Sequence, residues 1–240
     1  MIIDCHMHVK NGDIYRQESK AEEIVAVMDK CGIDKAVVFA MCISTRDATE
    51  MVFKEVQKFP DRLIGFTYAR PCYNRKVTED IRYAIEERGM KGIKIHRGET
   101  LLHAEVIGPV LETANEYGVP CLIDSGNDYA AIESIVKAYP DLLLILAHLG
   151  APSGNVLLID QFIELARKNK NVYLDTAYVP TYWKIKDAVR ILGPEKVLFG
   201  SDGILLDPRT EMKKIEVLDL TKEETEYVMG KNIARLLRLN

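Results

Sequence analysis

Eight short apolar runs, most of them rich in β-branched residues, constrain this chain more than any other feature. They fall at residues 2–5, 35–40, 63–68, 92–96, 119–124, 142–148, 172–175 and 196–200. Their starts lie 23 to 33 residues apart, room for one strand and one helix each. All but the last lead clearly into a stretch with helical period. "VLLIDQFIELARK", for example, sets Leu158, Phe162 and Leu165 on one stripe and Asp160, Glu164 and Lys168 on another. Glycine or proline punctuates many helix-to-strand turns, as at Gly32, Gly89, Gly118 and Pro140, where glycine suits a helix C-cap. This grammar predicts an α/β fold, a (β/α)8 TIM barrel with short βα loops, in one domain spanning residues 1–240. A doubly wound open sheet is the competing architecture, because alternation alone does not close a sheet. The longer connections are "VKNGDIYRQESK", "HRGETLLHAE", "LGAPSGN", "AYVPTYWK" and "DGILLDPRT".

Composition narrows function by exclusion. Lys+Arg 32 against Asp+Glu 36 gives a formal charge of −4, which offers no electrostatic footprint for nucleic acid or an anionic membrane. The apolar runs are too short to span a bilayer, and no basic segment followed by an apolar one opens the chain. The five cysteines are scattered with no C-x-x-C pair, as in a cytoplasmic protein with reduced thiols. The expected partner is a small-molecule substrate, with a homodimer left open.

Polar residues appear where the predicted strands end: His6 and His8, Lys94 and His96, Asp124, His148, Asp175 and Asp202. In a closed parallel barrel those ends share one rim with the βα loops, so this asymmetry marks an active site. Strict alternation along the first strand places Asp4, His6 and His8 on one face, with Cys5 and Met7 on the other. Imidazoles ~6–7 Å apart on one strand can both reach a single cation above its end. Two histidines satisfied by local hydrogen bonds are the bland alternative.

The segments "IIDCHMH", "GIKIH", "ILAHLG", "VLFGSD" and the closing "LTKEETEYVMGKNIARLLRLN" together resemble the amidohydrolase superfamily. The closest likeness is to its amidohydrolase-related branch of small metal-dependent TIM-barrel hydrolases and decarboxylases, over the whole chain. The resemblance implies one divalent metal ion, Zn²⁺ first and Mn²⁺ second, with His6, His8 and Asp202 as ligands. It makes Asp202 the base for a metal-bound water, and His148 a catalytic hydrogen-bonding residue or further ligand. That branch ends its fifth strand in a histidine ligand, and this chain has Asp124 there. Asp124 then replaces the imidazole as ligand, or acts as acid or base beside a weak or absent metal, or bonds loop amides.

Lys94, His96 and Arg70 are expected to bind a substrate carboxylate or carbonyl, and Tyr178 to line the pocket. A carbamylated Lys94 bridging two metals, known elsewhere in the superfamily, is disfavoured because few ligands remain for a second ion. Asp175 is expected to hold Lys94 or a rim arginine, Arg97 to be exposed, and Trp183 to line the pocket or open the seventh helix. His103, Cys5 and Cys121 are read as non-catalytic. Hydrolysis of a small amide, ester or lactone leads; decarboxylation of an unsaturated or aromatic acid is the nearest alternative. A metal-dependent nuclease fits poorly with an acidic chain, and a barrel that binds a ligand without catalysis is a further alternative.

Overall fold

The computed structural model describes residues 1–11, 18–72 and 76–239, so half of the first long connection lies outside the described residues. Eight parallel strand positions alternate with helices: β1 (Ile3–His8), α1 (Ala21–Cys31), β2 (Lys35–Phe39), α2 (Thr45–Val56), β3 (Leu63–Gly65 with Thr67–Tyr68), α3 (Val77–Glu86), β4 (Ile93–His96) and α4 (Ala104–Tyr117). They continue as β5 (Cys121–Asp124), α5 (Tyr129–Ala138), β6 (Leu144–Leu146), α6 (Val156–Lys168), β7 (Val172–Asp175), α7 (Trp183–Leu192), β8 (Val197–Leu198) and α8 (Pro208–Glu216). The eighth strand therefore also feeds a helix. A short antiparallel pair, Lys10–Asn11 with Glu18–Ser19, follows β1.

The sheet closes. The two halves of β3 each serve one neighbour, Leu63 pairing with Ala36 of β2 and Thr67 with Ile93 of β4. Across the seam Cys5 N–H donates to Phe199 O at 2.9 Å, Asp202 N–H to His6 O at 2.8 Å and His8 N–H to Gly203 O at 2.7 Å. This ladder rules out the open sheet. Trp183 opens α7 and stacks edge-on against Tyr182. No described helix is long and apolar enough to cross a membrane.

Two apolar layers hold the barrel. Ile3, Cys5, Val37, Phe39, Phe66, Leu122, Ile145 and Leu198 fill the interior, and Ile233, Leu236 and Leu237 of the C-terminal helical segment close its floor. The opposite strand faces, such as Val38, Ile95, Ile123 and Leu174, pack against helices in the outer layer. On α6 the buried stripe is Ile159, Phe162, Ile163, Leu165 and Ala166, shifted slightly from the one read off the sequence. Gly118 ends α4 at φ 62°, a left-handed cap that a Cβ would disfavour.

Alternation fails in β1, and the failure builds the site. Asp4 opposes Ala36 and Met7 opposes Val38, so Cys5 and His6 together face the single residue Val37. That is a β-bulge, in which one extra residue re-aims the side chains after it. Cys5 joins Ile3 inside the barrel, contrary to the strict-parity expectation, while His6 and His8 still reach the interior above them. The bulge needs room from β8's continuation: a Cβ at Gly200 would lie 2.9 Å from the His6 Cβ and 3.2 Å from the Cys5 Sγ. Gly200→Ala is expected to destabilise the protein by about 1–3 kcal/mol through overpacking, measured as a lowered urea midpoint.

Candidate active site

The rim at the C-terminal ends of the strands encloses a cavity of ≈ 190 Å³, lined by residues that include His6, His8, Lys94, His96, Asp124, His148 and Asp202. They arrive by different routes: Lys94, His96 and Asp124 lie on β4 and β5, His6 and His8 follow the bulge in β1, and His148 and Asp202 lie just beyond β6 and β8 on left-handed backbone. Lys10, Met41 and Leu205 also line it and were not foreseen. Lys10 was findable, two residues beyond His8. Met41 and Leu205 carry no polar signal at a strand end.

Asp175, fully buried at the end of β7, organises one wall. Its Oδ2 accepts from His6 Nδ1 at 2.8 Å, and its Oδ1 accepts from the amides of His148 at 2.8 Å and Ala177 at 3.1 Å. With both oxygens occupied and below the rim, it holds neither Lys94 nor an arginine by a hydrogen bond, which corrects the expectation above. Burial pushes its carboxyl up, but its contacts with His6 and His148, including the hydrogen bonds from the His6 ring and the His148 amide, outweigh that and keep it below the ordinary range. Because His6 Nδ1 donates to Asp175, its Nε2 presents a lone pair to the cavity. Burial, reinforced by the Lys94 charge, lowers the His6 pKa to about 4, so the ring is neutral near pH 7.

His6, His8 and Asp202 form the one group of three or more candidate ligands found among the described residues, with ligand atoms within 4.8 Å of one another. His8 Nε2 lies 2.7 Å from Asp202 Oδ1, and His6 Nε2 lies 3.5 Å from the same oxygen. Burial lowers the His8 pKa, so the ring donates to Asp202 as a neutral imidazole. Burial raises the Asp202 carboxyl, yet the His8 hydrogen bond and the surrounding imidazoles hold it ionised. Two neutral imidazoles and an anionic carboxylate are a donor set that fits a divalent cation of the zinc type. The second contact on His6, through Asp175, is the outer-shell arrangement that fixes a ligating ring.

Asp124 and His148 pair with each other, the His148 ring also packing against His6 at a centroid distance of 5.2 Å. Asp124 Oδ2 lies 3.4 Å from both His148 Nε2 and His96 Nε2, and Asp124 Oδ1 accepts from the Gly126 amide at 2.9 Å. His148 Nδ1 contacts Ala177 O at 2.7 Å. A carbonyl only accepts, so Nδ1 carries a proton, and Nε2 needs one as well to face a carboxylate favourably. Burial opposes a charge on this ring, but the carboxylates of Asp124, Asp175 and Asp202 outweigh it and raise its pKa. Both nitrogens of His148 are thus engaged, an arrangement that favours the imidazolium. The residue reaches this pose through left-handed backbone, φ 60° at His148 and φ 51° at Leu149; Asp202 shares the conformation at φ 61°. Such strain persists only where its surroundings fix it.

Lys94, at 1% exposure, hangs from β4 over the Phe39 ring, with Nζ 3.4 Å from His6 Nε2. Tyr178, 48% exposed, sets its ring edge-on to His148 at 6.0 Å. Arg70 turns to Glu99, its Nε 3.7 Å from the carboxylate, and is not among the cavity-lining residues. Arg97 bonds Asp128, and His103 is the exposed N-cap of α4. Cys5 and Cys121 are buried, with thiols pushed up by burial, in the case of Cys121 to about 12.

The family model described as "Amidohydrolase" matches residues 3–239. Among solved structures, an uncharacterized TIM-barrel protein from Bordetella bronchiseptica superposes with a TM-score of 0.81 at 16% identity, covering 99% of this chain and 98% of that one. A probable 2-pyrone-4,6-dicarboxylic acid hydrolase from Acinetobacter baumannii, with citric acid bound, gives 0.78 at 15% identity over 99% of both chains. A dihydroxybenzoic acid decarboxylase from Polaromonas sp. JS666, with bound manganese and an inhibitor, gives 0.77 at 14% identity, covering 100% of this chain and 97% of that one. A search of curated proteins returned no match.

Proposed function

The chain belongs to the amidohydrolase family, and from the rim geometry we propose that it is a metal-dependent hydrolase of a small amide, ester or lactone. The observation that carries this reading is the convergence of His6, His8 and Asp202 ligand atoms within 4.8 Å, with His6 oriented from behind by Asp175. In this reading those three residues hold the cation. Zinc is favoured over manganese because two of the three donors are imidazoles and the second carboxylate, Asp124, is turned to histidines. A bound divalent cation supplies an acidified water and polarises the bond attacked. Asp202 takes the proton of the attacking water, and the His148 imidazolium returns a proton to the leaving atom. Lys94 and His96 orient a carboxylate or carbonyl of the substrate. The five free thiols support a reducing, cytoplasmic setting.

Decarboxylation is the second reading. One observation favours it: a buried lysine, Lys94, and a proton donor, His148, line the same cavity as the ligand group. A purified-protein screen separates the two. Acid release from amides, esters or lactones without CO₂ supports hydrolysis, whereas CO₂ release from aromatic or unsaturated acids replaces it with the lyase. Absence of both activities in metal-loaded protein contradicts the proposal.

A further inference from the structure

Lys94 stands where it must interfere with the metal. His6 has one lone pair to offer, on Nε2, because Nδ1–H is committed to Asp175. Lys94 Nζ sits 3.4 Å from that Nε2. Burial works against a charge on Lys94, and the carboxylates of Asp124, Asp175 and Asp202 work for it; in either form an Nζ–H can donate, and its contact with Nε2 uses the same lone pair that a metal requires. A cation at the usual zinc–nitrogen distance from Nε2 would lie within about 5.5 Å of Nζ. The lysine is almost wholly buried, with Phe39 beneath it, so water screens the two positive charges poorly. The nearby carboxylates offset part of this repulsion. None of Asp124, Asp175 or Asp202 makes a hydrogen bond to Nζ, and each is engaged by histidine.

We propose that Lys94 is a positioning residue that limits metal affinity, its Nζ–H competing with the cation for His6 Nε2. Lys94 is then neither a ligand nor a bridge. The inference rests on His6 being a metal ligand, as the proposed function has it.

The test is zinc affinity of the full-length protein by chelator competition, with far-UV circular dichroism and a thermal transition to confirm folding. Lys94→Met removes the charge and keeps the length, and Lys94→Leu repeats the change with another apolar side chain. Either is expected to bind zinc at least tenfold more tightly than the wild type. Unchanged affinity overturns the proposal. Weaker binding overturns it too and makes the lysine, or a derivative of it, a ligand. If both variants fail to fold, a zinc-loaded wild-type crystal structure decides: Nζ withdrawn from hydrogen-bonding distance of Nε2 supports competition, and an intact contact refutes it. If wild-type protein binds no zinc at all, the metal reading itself has failed, which a zinc-binding wild type with unaltered variants would not imply.

Discussion

His8→Ala is expected to leave a folded barrel whose zinc affinity is at least ~100-fold weaker, since even outer-shell changes cost 10–100-fold. Turnover should fall with it, and equilibrium dialysis followed by metal analysis checks the claim. His8 is the cleaner position because its partner, Asp202, keeps a 20% exposed side chain that water can reach once the imidazole is gone. His6→Ala should lose metal equally but also strand Asp175 Oδ2, a fully buried acceptor, at a cost of about 1–3 kcal/mol. The two variants should therefore match in metal content and differ in urea midpoint. Equal midpoints would remove Asp175 from its assigned part in orienting His6.

The second large effect is at His148. His148→Gln should reduce turnover by about 10²–10⁴-fold, the usual contribution of a positioned proton donor, while zinc content stays at the wild-type level. A parallel loss of zinc would instead make His148 a ligand. The pH dependence follows from its imidazolium form. The folded pKa is raised above the ordinary histidine value of about 6.5, so the stabilisation from this charge is complete below that value. It is lost as pH rises through the raised value, and turnover that needs the proton declines on the same alkaline limb. Asp124→Asn removes the ring's first raising contact, so that limb should move to lower pH while zinc stoichiometry is unchanged. An unmoved limb would place the proton elsewhere.

Much of this site was legible in the sequence, for a physical reason. Interior barrel positions are apolar, so His6, Lys94, Asp124, His148 and Asp202 at the ends of apolar runs stood out. Spacing then assigned each to one rim. The bulge in β1 did not show, because it depends on register against Val37 and on the room left by Gly200. Nor did the work of Asp175, which reads as one more strand-end acid but bonds a ring and two amides. The departure at Asp124 was visible as a residue type, but its consequence was not. Whether a carboxylate turns to a cation or to two imidazoles depends on side-chain directions around a closed sheet. Arg70 misled for the same reason: a loop arginine near the rim pairs with Glu99 beside it.

The most direct test is a crystal structure grown with zinc, with the ion located by its anomalous signal. The account predicts one peak bonded to His6 Nε2, His8 and Asp202, with Asp124 still turned to His148 and His96. A peak bonded to Asp124 and His148, or no peak while Lys94 keeps its contact with His6, would contradict it.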